Sequence, residues 1–248
     1  MSSPPLRPLI VIQHTEGEFL GLMEDHFEGR RIRFNYLRPF TGDVRIPDSV
    51  GQSAGLILLG GGPWGSAGGS AGGRDLPTLE DEEVLVGRYL RQGLPVIGIG
   101  LGAQILCRAV GGSSEPAELS FAVGEARRVK EGALNGYLPE RYPLAIYMRD
   151  RPILPREAET LAVDWEGRPA LFQYGENCFG FTGHPGAKLA MIEDLIMEFD
   201  EAPGDPAPGI AALRRDQDAI ADSLVYIMTG LIQMTGLMAT TEPRAGGA

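Results

Sequence analysis

The ten-residue stretch PVIGIGLGAQ, residues 95–104, constrains the fold more strongly than any other part of the chain. Its first half is apolar and rich in β-branched residues, as in a buried strand, and the following ILCRAV is typical of a helix. The alternating glycines between them permit a sharp turn. A strand that turns this directly into a helix indicates a parallel α/β unit, with the turn at the carboxyl edge of the sheet.

Comparable strand and helix patterns precede this unit. Short apolar or alternating segments at 9–13, 31–36 and 56–59 predict strands, and helices are predicted over 19–27 and 79–92. Because strands and helices alternate, we predict an α/β fold. It would be a flavodoxin-like or Rossmann-like three-layer sandwich with a mainly parallel sheet.

The pattern changes after Gly112. Five strand-like segments with short turns follow and predict an antiparallel insertion: LSFAVGEARRVK, YPLAIYM, TLAVDW, PALFQY and CFGFTG. A helix is predicted over 187–199, then a Pro/Gly/Asp-rich linker and a final helix from about Ile210 to Met238. We therefore predict a main domain over 1–200. Residues 201–248 would form a linker and C-terminal helical extension, either part of the same domain or a contact for an oligomer or partner.

The final helix includes an uncharged run, Ser223–Thr240, close to the length that crosses a bilayer. Gln233, threonines and glycines interrupt it, and its apolar residues fall on one side of a helix. These residues are Ile220, Leu224, Ile227, Met228, Leu231 and Met238. We interpret the segment as a packed helix or subunit interface, and we expect a homo-oligomer and no membrane span.

The chain carries 22 basic against 33 acidic residues, a net charge of -11. Such a charge repels nucleic acid and anionic membranes, so small polar metabolites or a protein surface are the expected partners. Cys107 and Cys178 have neither a disulfide framework nor a CxxC spacing, so we expect no metal site. The N-terminus lacks a signal-peptide pattern. We expect a cytoplasmic protein without a cofactor.

The glycine turn has two interpretations. Gly98, Gly100 and Ala103 match the G-x-G-x-x-A pattern that brings backbone amides to the pyrophosphate of a dinucleotide. That pattern normally opens the first βα unit, and here the first unit lacks it. The alternative is a nucleophile elbow, which exposes its tip residue beside the N-terminus of a helix whose amides can stabilise an oxyanion.

Several motifs resemble those of the class I, triad-type glutamine amidotransferases. GIGLGAQ resembles their G-I-C-L-G-x-Q motif, LILLGGGPWG resembles their G-G-P oxyanion strand, and GFTGHPG resembles their Q-F-H-P-E motif. AELS at 117–120 is a weaker match to an E-I-G segment near the substrate. VIQHTEGE near the start is similar to stand-alone relatives of the amidotransferase domain of GMP synthase. The resemblance extends from about Pro8 to Glu198.

In that family a cysteine thiolate attacks a γ-glutamyl amide, a histidine moves the proton and a glutamate orients the histidine. The resemblance places the nucleophile position at Gly100, the base at His184 and the orienting acid at Gly186. Leu101 and Gly62 would supply the oxyanion amides. Two of the three triad positions therefore lack their functional groups, although His184 is retained.

The same resemblance implies the substrate contacts. Gln104, Gly61 and Glu118 would contact the glutamyl group, and Trp64 is either a lid over the ligand or an anchor of its loop. His14 ends the first strand and could face the same crevice. The stretch YMRDR, 147–151, departs from the histidine-containing stretch of the family, so we expect a substrate preference different from plain glutamine.

Two functions follow for a chain with glycine at position 100. In the first, the resemblance implies that the chain would bind a γ-glutamyl amide, either glutamine or an N-substituted relative, and would hydrolyse it only in a cysteine-containing form. In that case Gly100 is either native or an engineered replacement of the nucleophile. Alternatively the chain is a non-catalytic subunit or regulator that senses a glutamine-like ligand or docks on a synthetase partner.

Overall fold

The structure is a computed structural model that describes residues 7–42, 44–68 and 74–238. The strands are β1 (Leu9–Ile12), β2 (Phe34–Leu37), β3 (Gly55–Leu58), β4 (Val96–Ile99), β5 (Ser113–Glu115), β6 (Ser120–Arg128), β7 (Arg141–Met148), β8 (Arg151–Ile153), β9 (Ala158–Val163), β10 (Pro169–Tyr174) and β11 (Cys178–Phe181). The helices are α1 (Met23–Gly29), α2 (Leu79–Arg91), α3 (Leu101–Ala109), α4 (Leu189–Glu198) and α5 (Ala207–Thr235).

Nine strands form one sheet in the order β2-β1-β3-β4-β11-β10-β9-β6-β7. The pairs from β2 to β11 are parallel, and the pairs from β11 to β7 are antiparallel. The carboxyl ends of β1, β3, β4 and β11 therefore meet at one edge of the sheet. This edge is where ligands bind in open α/β sheets.

The parallel strands are short and continuously apolar because both of their faces are covered. Strand β3 shows this directly: Ile57 packs in the cluster that includes α1 and α5, whereas Leu56 and Leu58 pack with α2 and α3. Helices on both faces of a mixed, partly parallel sheet make a three-layer α/β sandwich. The fold-class prediction is confirmed.

Three local predictions were wrong or incomplete. Helix α1 begins at Met23 rather than residue 19, which leaves residues 13–22 as the β1–α1 loop. The segment CFGFTG was grouped with the antiparallel insertion, but its strand β11 pairs in parallel with β4. The short strands β5 and β8, which pair with each other, were not predicted because three residues carry too little periodicity to recognise.

Helix α5 packs on the sheet of its own chain. Ile220, Leu224, Ile227, Met228 and Leu231 are buried as predicted, and four of them join the main core beside β6 and β7. The predicted apolar face is thus packed against the sheet of its own chain. Met238 is exposed, because the helix ends at Thr235 and Gly236 takes a left-handed cap.

No helix among the described residues is long and apolar enough to span a membrane. The last two residues of the uncharged run, 239–240, lie outside the described part of the chain.

Candidate functional site

The turn after β4 is a sharp elbow built from glycines. Gly100 has φ 57° and ψ -117°, a conformation that glycine adopts without a steric penalty, and α3 begins at the next residue. A Cβ on Gly98 would overlap the backbone of Gly102, and a Cβ on Gly102 would overlap the carbonyl of Leu58. The three glycines therefore let the helix pass directly over the strand. This geometry is that of a nucleophile elbow.

The elbow faces a small enclosed cavity of about 10 Å³. Its polar lining is Glu18, Tyr147, Thr182 and His184, and residues of α4 close its apolar side. A single water molecule requires about 10–15 Å³ measured in this way. In this conformation the elbow therefore has space for a solvent molecule and not for a dinucleotide or an amino acid.

The carboxyl group of Glu18 fills the space beside the elbow. Oε2 accepts a hydrogen bond from the N–H of Gly62 at 3.2 Å, and a Cβ on Gly100 would lie 3.7 Å from Oε1. A Cβ on Gly60 would overlap the carboxyl group itself. Burial raises the pKa of Glu18 to about 7, although the Gly62 hydrogen bond and His14 both act to lower it.

His184 follows β11 and reaches the same cavity, but both of its ring nitrogens are engaged by the backbone. Nε2 donates to the carbonyl of Phe19 at 2.8 Å, since a carbonyl can only accept, and Nδ1 accepts from the N–H of Gly186 at 3.1 Å. Burial lowers the pKa of His184 to about 4, against the opposing effect of the Phe19 hydrogen bond. The imidazole is thus held neutral and in one tautomer.

Gly186, where the resemblance places the orienting acid, is packed against the start of α1. Its carbonyl accepts a hydrogen bond from the N–H of Leu22 at 2.9 Å. A Cβ on Gly186 would lie 3.1 Å from the nitrogen of Met23 and 3.2 Å from that of Leu22. A glutamate side chain at this position would have to displace the chain at residues 22–23.

The structure brings Gly62, Gly61 and Leu101 to the elbow. Gly62 has φ 53° and directs its N–H at Glu18. Gly61 is covered by the side chain of Leu101, which a Cβ at this glycine would overlap. Leu101 is the first residue of α3, so its N–H has no partner within the helix.

Gln104 is fully buried and committed to internal hydrogen bonds. Its amide nitrogen donates to the carbonyl of Arg149 at 2.7 Å, and its oxygen accepts from the hydroxyl of Ser66. Its side-chain amide therefore supports the glycine-rich loop after β3. It does not line the cavity at the elbow.

Glu118 and Trp64 also lie outside the elbow cavity. Glu118 is exposed in the connection between β5 and β6. Trp64 is half-buried and lines a separate apolar cavity of about 90 Å³, together with Phe40, Leu76 and His14. The structure thus does not bring these two predicted substrate contacts to Gly100.

His14 makes a buried ion pair on the far side of the glycine-rich loop. Nε2 lies 2.9 Å from Oε2 of Glu82, and Nδ1 lies 3.0 Å from the carbonyl oxygen of Gly60. Because a carbonyl and a carboxylate both accept, the geometry suits the imidazolium. Burial opposes the charge, but Glu82 and the carbonyl of Gly60 outweigh it and raise the pKa of His14 above its ordinary value.

Two side chains of the YMRDR stretch hold the glycine-rich loop. Arg149 is buried, donates from Nε to the carbonyl of Pro63 at 2.9 Å and pairs with Glu201. The carboxylate of Asp150 accepts from the N–H groups of Ser66 and Ala67 at 2.8 and 3.0 Å. The departure from the family stretch therefore has a structural role in fixing this loop.

Sequence reasoning missed Glu18, the side chain closest to the elbow. One signal was present: Glu18 follows β1, whose carboxyl end lies at the same sheet edge as Gly100. The helical pattern of residues 19–27 hides this signal, because it predicts a helix directly after Glu18, where the structure has a loop. Among the described residues, no group of three or more His, Cys, Asp and Glu side chains is arranged to hold a metal ion.

Comparison with known proteins identifies the fold. No protein-family profile matches the chain. Over 168 residues it is 30% identical to a glutamine-hydrolyzing GMP synthase of Aeropyrum pernix. The match covers 64% of this chain and 30% of that protein, so the chain spans less than a third of the length of this curated relative.

Two solved structures resemble the chain over nearly all of their length. A glutamine amidotransferase of Thermotoga maritima has a TM-score of 0.75 at 23% identity and covers 94% of this chain and 99% of its own. A glutamine amidotransferase of Methylobacillus flagellatus has a TM-score of 0.80 at 21% identity and covers 98% of this chain and 100% of its own. The chain has a class I glutamine amidotransferase-like fold.

Proposed function

On the basis of this glutamine amidotransferase-like fold, we propose that the chain holds a γ-glutamyl group at the elbow without hydrolysing it. The observation that carries the proposal is the carboxyl of Glu18, which accepts the Gly62 N–H beside Gly100. A γ-carboxyl group is thus bound where the resemblance places the γ-carbonyl of the substrate. The ligand class is glutamine or an N-substituted γ-glutamyl amide.

The residues present support binding more than catalysis. In a cysteine-containing form, the thiolate would add to the γ-carbonyl carbon and the amine would leave with a proton supplied by the histidine. Water would then release glutamate from the thioester. Gly100 offers no nucleophile, and His184 directs its only N–H at Phe19. Loss of the nucleophile alone lowers the rate by several orders of magnitude.

The surroundings of Gly100 support a native glycine over an engineered one. An engineered replacement would leave the rest of an active triad in place. Here Gly186 is packed against the start of α1, and the Glu18 carboxyl lies beside the elbow. The site therefore differs from the triad pattern at several positions that one substitution would not change.

Calorimetry and a product assay on the purified chain test the proposal. We expect L-glutamine or γ-glutamyl-p-nitroanilide to bind with a stoichiometry of one and no glutamate to be released. Release of glutamate or p-nitroaniline would overturn the non-catalytic assignment. The Gly100→Cys variant, with and without His184→Ala, tests the parent chemistry. Activity that requires both the introduced thiol and His184 supports a γ-glutamyl site.

A second candidate is a regulatory subunit that docks on a synthetase and binds no ligand at the elbow. The cavity of about 10 Å³ favours it, since the protein's own side chain already fills the site. The match covers only 30% of the GMP synthase relative, so that protein extends well beyond the matched region. If neither the chain nor its Glu18→Ala variant binds any γ-glutamyl amide at millimolar concentration, the regulatory assignment replaces the first.

We also propose that the chain forms a homo-oligomer and that it is cytoplasmic. A homo-oligomer is tested by light scattering of the purified chain. Cys107 and Cys178 are free and buried, which fits the reducing environment of a cytoplasm.

A further inference from the structure

One short loop contacts all three positions at which the resemblance places the triad. Within the β1–α1 loop, Glu18 lies beside Gly100, the carbonyl of Phe19 binds His184, and the N–H of Leu22 binds the carbonyl of Gly186. We infer that the β1–α1 loop is a built-in plug, and that Glu18 is an internal γ-glutamyl group that a ligand must displace. This inference rests on the proposed function and specifies how the same site is regulated.

The chemistry of Glu18 supports the role of an internal occupant. Glutamate shares the γ-carbon and carbonyl oxygen of a glutamyl ligand, and Oε2 accepts the Gly62 N–H that the resemblance assigns to the oxyanion. The glycine at position 60 is needed for this placement, because a Cβ there would overlap the carboxyl group. A ligand and Glu18 therefore compete for the same donor and the same space.

The loop also controls the histidine. While the carbonyl of Phe19 accepts from Nε2, His184 cannot direct that nitrogen toward the elbow. Gly21 is packed so closely on the carbonyl of Gly186 that a Cβ at position 21 would overlap it. Withdrawal of the loop would therefore free the elbow, the oxyanion amide and the histidine together.

The loop is held by an anchor outside the cavity. Glu198, at the end of α4, accepts hydrogen bonds from the N–H groups of Glu16 and Gly17 at 2.9 and 2.8 Å. The hydroxyl of Thr15 also accepts from the N–H of Glu18 at 3.2 Å. Glu198 is thus a latch that does not line the elbow cavity and can be removed without substituting any residue that does.

A plug of this kind sets the apparent affinity of the site. A ligand binds only the fraction of molecules in which the loop has moved, so its apparent Kd is the intrinsic value divided by that fraction. Weakening the plug raises affinity without adding any contact to the ligand.

Thiol alkylation tests the plug without any ligand. Gly100→Cys introduces a thiol at the elbow, and its reaction with iodoacetamide, followed by mass spectrometry, reports how often the cavity opens. We expect Glu18→Ala or Glu198→Ala in that background to raise the rate at least about tenfold. Cys107 and Cys178 give little background, since burial raises the pKa of each thiol to about 11.

Glu16→Ala is the matched control. This glutamate lies two residues from Glu18 in the same loop, but its side chain is exposed, and the Glu198 hydrogen bond comes from its backbone. In the Gly100→Cys background, the Glu16→Ala variant should be alkylated at the same rate as Gly100→Cys alone. Equal rates for Gly100→Cys with and without Glu18→Ala would overturn the inference.

Amide exchange provides a second measurement that needs no change at the elbow. The Gly62 N–H is bonded to Glu18, so Glu18→Ala should speed its hydrogen–deuterium exchange at least about tenfold, and Glu16→Ala should not. An unchanged Gly62 rate would overturn the plug. Neither readout depends on glutamine binding, so failure of the proposed function would show in calorimetry alone.

Discussion

Nε2 of His184 donates a hydrogen bond to the carbonyl oxygen of Phe19 at 2.8 Å. The bond joins the residue that the family resemblance marks as the base to a loop 165 positions earlier in the chain. Because the other ring nitrogen accepts from Gly186, the imidazole has no site left for a transferred proton. In this conformation His184 orders the loop.

We expect the three histidines of the chain to titrate separately. Burial lowers the pKa of His184 to about 4, whereas Glu82 and Gly60 raise that of His14 above its ordinary value despite burial. His184 therefore contributes stability above pH 6.5 that is lost as the pH falls toward 4. Carbon-13 NMR of labelled imidazoles, assigned with single His→Gln variants, measures the order of the histidine pKa values. A His184 pKa near 6.5 would contradict its buried, bonded state.

Glu18→Gln should change how stability depends on pH. The folded pKa of Glu18, about 7, lies above its ordinary value of 4.5, so its stabilising contribution is present below pH 4.5 and lost as the pH rises through 7. The groups facing it are His14, Glu198 and Tyr147. As the pH rises from 5 to 8, the free energy of unfolding of the variant should increase by on the order of 3 kcal/mol relative to that of the wild type.

Urea unfolding at several pH values measures this difference, with Glu16→Gln as the control. The control should follow the wild-type curve, because its side chain is exposed. A difference between Glu18→Gln and wild type that does not vary with pH would show that Glu18 is not buried as an ionisable group.

Glu82→Ala should destabilise the fold strongly. The carboxylate is fully buried, pairs with His14 at 2.9 Å and accepts from the hydroxyl of Thr78 at 2.6 Å. Removal of one partner of a buried ion pair costs about 3–5 kcal/mol, because the remaining charge is left uncompensated. Glu80→Ala, an exposed change in the same turn of α2, should cost less than about 1 kcal/mol. Equal costs by denaturant unfolding would refute the ion pair.

The effect of Gly60→Ala on stability should depend on the side chain of Glu18. The added methyl group would overlap the Glu18 carboxyl, and the three heavy atoms nearest to it all belong to that group. Measured by urea unfolding, Gly60→Ala should lower the free energy of unfolding by about 1–3 kcal/mol in the wild type and by much less in Glu18→Ala. The coupling energy between the two substitutions should be at least about 1 kcal/mol. Gly29→Ala, which has no atom within 4 Å of the new methyl, is the control and should show no coupling.

The parallel half of the fold could be predicted because its signals are local. Strands β3 and β4 are continuous apolar runs, and the turn at Gly100 is marked by glycines whose spacing requires a close helix. The antiparallel half was predicted by alternation. The boundary between the two halves was predicted in the wrong place, because nothing within CFGFTG reveals that β11 pairs in parallel with β4.

The start of α1 shows why the site was harder to predict from the sequence than the fold. Residues 19–22 fit a helical pattern, yet the chain there bonds to His184 and Gly186 in place of forming a helical turn. These contacts join residues more than 160 positions apart, and local propensity is routinely overridden by such packing.

The sequence by itself determined the glycine turn between β4 and α3, because its residue types lie at a fixed local spacing, and it carried the motifs by which the resemblance marks Gly100 and His184. Only the tertiary structure decided what surrounds them. The hydrogen bond between Gly62 and Glu18 spans 44 positions, and that between His184 and Phe19 spans 165. A γ-carboxyl group at the elbow and a neutral, bonded imidazole are products of long-range burial. No pattern along the chain encodes that burial, because it arises only when β1, β3, β4 and β11 end at one edge of the sheet.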